Sequence, residues 1–332
     1  MDTQKFPTTL FEAAKMFYSD SENCLNVFVS IRWPAGISCP YCTAFGPSRI
    51  KERQLWQCKS CRKQFSLKTG TIFEDSPVAL GKWFLAMWLI ANCKNGISSY
   101  ELSRHIGVMQ RTAWFMNHRL RLAMANGSFE KMSGTIESDE TYIGGLEKNK
   151  HKSKKLNAGR GCVGKSVVMG LIERSEVDNG TSRVKAEVIP VASAKHLHSE
   201  IRSSVTEFSK VYTDAWKGYH GLSAEYLHEF VDHTVAYAIG QVHTNGVENF
   251  WALLKRGLSG TYVSVEPFHL KSYIDEQVYR FNNRGTDDAG RFLTLLAGVT
   301  GKRLTYDELT HRFESYYDQV LPRQDGPNTA TF

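Results

Sequence analysis

Gly134-Thr135-Ile136-Glu137-Ser138-Asp139-Glu140-Thr141-Tyr142-Ile143-Gly144-Gly145 is the stretch on which the fold reading turns. Before it, apolar residues recur at helical spacing. From Thr135 they alternate with period two, the mark of a strand, which the glycine pair ends. Working outward, Val163 to Ile172 reads as a second strand and Lys185 to Pro190 as a third. Ser193 to Phe208 reads as a helix, and Lys210 to Thr213 as a fourth strand running into Asp214. Phe230 to His233 is a short fifth strand; Val242 to Leu258 and Pro267 to Asn283 are helices.

Three strands, a helix, a strand, then more strand and helix is the order of an RNase H-like α/β core, expected over residues 133–300. Three carboxylates fall where such a core could use them. Asp139 is mid-strand, on the same face as Glu137 by the two-residue period. Its neighbours Glu137 and Glu140 compete with it, and the pattern alone does not choose. Asp214 ends the fourth strand, and Glu248 follows thirty-four positions later on a helix. In-line phosphodiester cleavage uses two hard cations ~3.5–4 Å apart, and Mg(II) or Mn(II) prefers oxygen ligands. A carboxylate cluster is the natural holder. On the helix of Glu248, Lys255 lies two turns on and Asn245 lies at i−3, both on its face. Val247, Phe250, Trp251, Leu254 and Leu258 form the neighbouring apolar stripe, which should face the core. Lys255 suits a DNA phosphate as a point charge, and Arg256 beside it is a further expected DNA contact. His243 and His233 are expected to be structural.

Upstream, Cys39-Pro40-Tyr41-Cys42 is followed fifteen residues later by Cys58-Lys59-Ser60-Cys61. C-x2-C-x15-C-x2-C is a zinc-site spacing, and four thiolates close the coordination shell, so the one zinc is structural. Ser48 to Gln57 reads as a short strand pair carrying Arg49, Lys51 and Arg53 as expected DNA contacts. Cys24, Cys93 and Cys162 lack such spacing and read as ordinary packing. Next, Leu80 to Asn92 is apolar enough for a buried helix. Ser98 and Glu101 form a capping box, Gly107 a turn, and Met109 to Met124 a second helix. Met109, Ala113, Met116 and Leu120 would make its apolar face, leaving Gln110, Arg111, Asn117 and Arg121 exposed. Helix, glycine-bearing turn, helix is the helix-turn-helix plan, in which such residues read bases or grip phosphate.

Charge supports a polyanion partner. The chain of 332 residues nets +7, yet Ala35–Thr69 and Gly144–Ser166 each carry seven Lys/Arg and one Glu. The second window, with Lys154 and Lys155, is expected to lie along a DNA backbone. No window reaches the ~18 apolar residues of a membrane span. Met1-Asp2-Thr3-Gln4-Lys5 opens no apolar signal stretch, and an odd seven cysteines argue against a disulfide scaffold. The expected location is cytoplasmic and DNA-associated.

These residues resemble a known family: the DDE-type insertion-sequence transposases with an N-terminal zinc ribbon before an RNase H-like core. The resemblance covers residues 8 to 300. It rests on Cys39 to Cys42 with Cys58 to Ser66, Thr69 to Phe73, Glu137 to Gly145, His243 to Gly257, and His269 to Arg284. Gly246 and the tail after Arg303 are outside it. It implies Asp139, Asp214 and Glu248 as ligands of two Mg(II) or Mn(II) ions, with Lys255 as the accompanying lysine. Some members carry another residue, Asn included, at the third position, so Asn245 and Asn249 stand beside Glu248 as alternatives. It further implies binding of terminal inverted repeats, hydrolysis at each end, strand transfer, and a homodimer or higher assembly on DNA.

The expected fold class is therefore multidomain α+β: a zinc ribbon, a helix-turn-helix-like domain and an RNase H-like α/β catalytic core. The expected divisions are 1–34 (helical), 35–69 (ribbon), 76–126 (helix-turn-helix-like), 133–300 (core, with basic insertion 144–166) and 301–332 (tail). The rivals are an RNase H-like nuclease without strand transfer, a catalytically silent DNA-binding regulator, and a zinc-ribbon RNA-binding factor. The last leaves Glu248 and Lys255 without a use.

Overall fold

The computed structural model describes residues 6–18, 21–125, 130–145, 164–176, 180–231 and 240–310. Helices α1 (Leu10–Tyr18) and α2 (Ser21–Arg32) precede a three-stranded antiparallel sheet of β1 (Ser48–Ile50), β2 (Leu55–Gln57) and β3 (Gln64–Phe65). β3 was not in the sequence reading; its two residues are too few to show a period. Helices α3 (Leu80–Asn92), α4 (Ser99–Ile106) and α5 (Gln110–Met124) follow.

Along α3, every residue from Trp83 to Ala91 is buried. A helix that is apolar all round needs neighbours all round. It finds them in α1, α2, α4, α5 and, from far along the chain, α9 (Asp288–Ala297). Phe17, Phe84 and Phe292 bring three of these helices together, with ring centroids 5.1–5.6 Å apart. The ribbon joins the same cluster: Trp56 stacks on Phe65 at 6.0 Å and meets Trp33 edge-on at 5.8 Å. The Arg32 guanidinium donates to the carbonyls of Leu67 and Thr69. Ribbon and helices thus share one apolar core.

The second layer is a five-stranded sheet of β4 (Thr135–Ile143), β5 (Ser166–Glu173), β6 (Arg183–Ile189), β7 (Lys210–Asp214) and β8 (Leu227–Val231), ordered β6-β5-β4-β7-β8. β4, β5 and β6 pair antiparallel; β7 and β8 run parallel to β4. This is the RNase H-like arrangement. Helix α6 (Ala194–Ser204) makes the crossover from β6 to β7 and buries Leu197 and Ile201 on one face. Helices α7 (Asn245–Gly257) and α8 (Leu270–Asn282) cover the other face through Phe250, Trp251, Leu254 and Ile274. Strand and helix edges differ from the sequence reading by a few residues, as in β8, which begins three residues before Phe230. Among the described residues no helix is long and apolar enough to cross a membrane.

A buried ion cluster ties the two layers. Glu276 of α8 is fully buried and accepts from Arg121 Nε of α5 at 2.6 Å; Arg280 and the Tyr262 hydroxyl close on its other oxygen. Burial works against the ionised carboxyl, but Arg280 and Arg121 outweigh it and hold Glu276 below the usual carboxylate range. This corrects the exposed-face reading of α5. Arg121 and Asn117 are each 1% exposed, and Asn117 donates to the Ile97 carbonyl at 3.2 Å. Met109, read as apolar face, is 78% exposed at the helix start. The reason is that α5 is covered on two sides, by α3 and α4 and by α8. One apolar stripe cannot supply both contacts, so polar residues are buried as pairs.

His118 sits beside this cluster, buried among Trp114, Tyr273 and His269. Burial, then the charge of Arg121 and of His269, pushes its pKa far below the usual 6.5. The native state keeps this imidazole neutral while the unfolded chain protonates it. Stability is therefore full above pH 6.5 and declines as the pH falls, by about 1.4 kcal/mol per pH unit for this one proton. Urea melts at pH 5.0–6.5 should show this slope reduced by close to one proton in His118→Gln; an unchanged slope would refute the burial argument.

Candidate active site and zinc centre

The zinc centre follows from two tight turns. Cys39, Cys42, Cys58 and Cys61 place their Sγ atoms within 4.8 Å of one another. Cys39 and Cys61 Sγ are 3.7 Å apart, and Cys42 and Cys58 Sγ 3.5 Å. Four thiolates around Zn(II) at ~2.3 Å would lie about 3.8 Å apart, so the cage fits the ion. Backbone N–H groups help hold thiolates: Tyr41 N–H donates to Cys39 Sγ and Cys61 N–H to Cys58 Sγ, each at 3.4 Å. The Cys61 N–H in particular lowers the Cys58 pKa. Arg49, Lys51 and Arg53 stand exposed around the hairpin, with the Arg49 guanidinium 5.9 Å from the Trp56 ring centroid.

On β4, three acids in four residues have three different surroundings. Glu137 is 2% exposed. Its Oε1 accepts from Arg174 Nε at 2.7 Å and its Oε2 from the Val247 N–H of α7 at 3.0 Å. Arg174 also donates to the Gln241 and His243 carbonyls and to His243 Nδ1. Glu140 accepts from the buried Tyr219 hydroxyl at 2.6 Å. Asp139 accepts from the indole Nε1–H of Trp251 at its Oδ2, at 3.0 Å, and from the Glu140 backbone N–H; among the described residues no cation pairs with it as Arg174 does with Glu137. Its pKa is pushed up to about 7, first by burial and then by the charges of Glu140 and Asp214.

Register explains the Asp139–Asp214 coupling. β4 and β7 run parallel with Glu137 opposite Tyr212, so two residues further on Asp139 comes level with Asp214. Asp214 Oδ1 accepts from the Trp216 N–H at 3.0 Å. Glu248 lies exposed in the first turn of α7, its Oε1 accepting from the Thr244 hydroxyl at 3.0 Å. It is three residues before Trp251, which touches Asp139, so the two share a helix face. Asp139 and Asp214 are brought together; Glu248 is carried to the same edge but not gathered with them. Among the described residues the four cysteines are the one such group of ligand atoms within 4.8 Å. Lys255 and Arg256 are exposed further along α7.

Two glycines set the approach of α7 to the sheet. Gly170 of β5 is opposite Asp139, and a Cβ there would come within 2.5 Å of the Trp251 ring. A Cβ on Gly246 would come within 2.8–3.1 Å of the Glu137 carboxyl group. Gly246, Gly170, Arg174, Tyr219 and the anchoring role of Glu137 were missed in the sequence. A glycine inside the strand pattern at 170 was the available signal of a close approach.

At the helix pair, Ser98 and Glu101 form the capping box, and Gly107 takes a left-handed φ of 61° at the end of α4. Gln110 donates to Ser99 Oγ at 2.8 Å, and exposed Arg111 to the Tyr306 hydroxyl at 3.2 Å. Of the expected DNA-reading face, only this first turn of α5 is open. Cys24 is buried and donates to the Phe17 carbonyl, while His243 is engaged by Arg174. Lys154, Lys155, Cys162 and His233 lie outside the described residues.

Residues 131–282 match the ISXO2-like transposase domain family, and residues 19–64 match the transposase zinc-ribbon domain family. An uncharacterised protein in transposable element ISH50 of Halobacterium salinarum is 31% identical over 263 residues, 74% of this chain and 85% of that protein. An uncharacterised transposase-like protein of Haemophilus influenzae is 32% identical over 102 residues, 30% of this chain and 82% of that protein.

Two predictions test the geometry. A chelator that removes the one zinc should open the Trp33–Trp56–Phe65 contacts and red-shift the tryptophan emission; metal-free protein with unchanged emission and Tm would contradict a structural zinc. Gly→Ala inside a helix ordinarily stabilises by up to about 1 kcal/mol. Gly257→Ala, with 3.5 Å to its nearest neighbour, should follow that rule. Gly246→Ala should reverse it, destabilising by about 1–3 kcal/mol in urea melts; equal behaviour of the two would show that α7 is not seated on Glu137.

Proposed function

Because this chain belongs to the ISXO2-like transposases with an N-terminal zinc ribbon, we propose that it cuts the ends of an insertion sequence and joins them to target DNA, with Asp139, Asp214 and Glu248 as its catalytic carboxylates. The observation that carries this is the state of the β4 acids. Glu137 is spent on an ion pair and a helix terminus and Glu140 on a phenol, while Asp139 lies level with Asp214.

The donor set suits Mg(II) or Mn(II): hard oxygens on Asp139, Asp214 and Glu248, with a raised Asp139 pKa that a divalent ion would reverse. When bound, two such ions would activate the attacking oxygen and stabilise the leaving oxygen. The protein's own groups do the rest. Trp251 fixes the Asp139 carboxylate through its Oδ2. Glu137 and Arg174 hold the start of α7 and so set how far Glu248 must reach. Lys255 and Arg256 lie along the exposed side of α7, where each could grip a phosphate of the DNA end.

Water first attacks the phosphorus at the element end; the P–O3′ bond breaks and a 3′-hydroxyl is released. That hydroxyl then attacks a target phosphorus and displaces another 3′-oxygen, which leaves protonated. Arg49, Lys51 and Arg53 on the ribbon, Gln110 and Arg111 at the start of α5, and Lys154 and Lys155 in the basic insertion are the residues proposed to hold the inverted repeats. Each phosphate they neutralise makes binding more salt-dependent. Synapsis of two ends calls for a homodimer or larger assembly on DNA, in the cytoplasm.

Incubation with the element's own ends and Mg(II) should give cut and joined products. Asp139→Asn, Asp214→Ala and Glu248→Ala should each lower both by at least about 100-fold while retaining repeat binding. Cutting that ignores the repeat and never joins would identify a nuclease; repeat binding without any cutting would identify a regulator.

A further inference from the structure

β7 ends at Asp214, and the chain then stays exposed through Ala215, Trp216 and Lys217. Trp216 keeps 48% of its surface exposed, although tryptophan has the most apolar surface to bury. Its position is nonetheless fixed. Its backbone N–H donates to Asp214 Oδ1 at 3.0 Å. Its indole lies against Gly218, where an added Cβ would come within 2.6 Å of Nε1 and 2.8 Å of Cδ1. Tyr219, one residue further, is buried and donates to Glu140. The loop is thus pinned at Asp214 and at Tyr219, with a large aromatic held out to solvent between them and the cation of Lys217 beside it.

We propose that Trp216 is a stacking platform for a nucleobase of the DNA end, belonging to the nucleotide next to the phosphodiester at Asp139 and Asp214. This rests on the cleavage chemistry proposed above. Two residues of chain span at most about 7 Å, and DNA advances ~3.4 Å per nucleotide, so the indole reaches a base one or two nucleotides from the scissile bond. A base leaving the duplex so that its phosphate can enter the site needs a new apolar surface. An aromatic face accepts any base, so the platform aids opening of the end without reading its sequence.

The test uses the full chain on element ends carrying 5-iodouracil beside the cut. Light should crosslink that base to the peptide between Lys210 and Lys217, which carries Trp216. Trp216→Ala should lower cleavage about 5- to 150-fold, from ~1–3 kcal/mol of stacking at 1.36 kcal/mol per decade. Trp216→Phe keeps a π face and should stay within about 3-fold of wild type. The alanine defect should shrink on ends whose flanking pair is mismatched, because that base is already free. A crosslink elsewhere, or Trp216→Ala cutting like wild type, would overturn the platform and leave the cleavage chemistry intact. Wild type that cuts no end would overturn both.

Discussion

A single buried carboxylate, Glu137, fixes the helix on which the site depends. It accepts the Val247 N–H at the start of α7 and pairs with Arg174, whose guanidinium also gathers the carbonyls of Gln241 and His243. An anion at a helix N-terminus satisfies an otherwise orphan donor and complements the macrodipole. Because the pair is almost fully buried on the Glu137 side, removing either partner would leave an uncompensated charge. Everything α7 delivers follows from that seat: Trp251 on Asp139, Glu248 one turn before it, and Lys255 two turns beyond Glu248.

The same logic operates between the layers. Arg121, Glu276 and Arg280 form an ion cluster that joins α5 to α8, and the apolar α3 gathers the ribbon, α1, α2 and α9 into one core. The elements proposed to grip DNA and those proposed to cut it are therefore coupled through packed contacts rather than joined by a free linker. Such coupling suits a protein that must cut at a fixed distance from the sequence it holds.

Much of this is legible in the amino-acid sequence. The period-two run from Thr135 to Ile143 gave β4 to the residue, and the four cysteines gave the ribbon, because alternation and ligand spacing are local signals. The Ser98–Glu101 capping box was local too. What was not legible was long-range. Glu137, Asp139 and Glu140 look alike in sequence; only the approach of Arg174, Trp251 and Tyr219 separates them. Arg121 and Asn117 read as a DNA-facing surface because a helix covered on two sides leaves the same polar pattern as one with a wet face. Gly246 had no evident use until Glu137 was seen beneath it.

Anomalous diffraction from crystals holding Mn(II) would test the carboxylate assignment most directly. Ions coordinated by Asp139 and Asp214, with the Glu248 carboxylate turned from Thr244 to join them, are the predicted result. Ions held instead by Glu140 or Glu137, or a site at Asp139 and Asp214 that stays empty at saturating Mn(II), would contradict it.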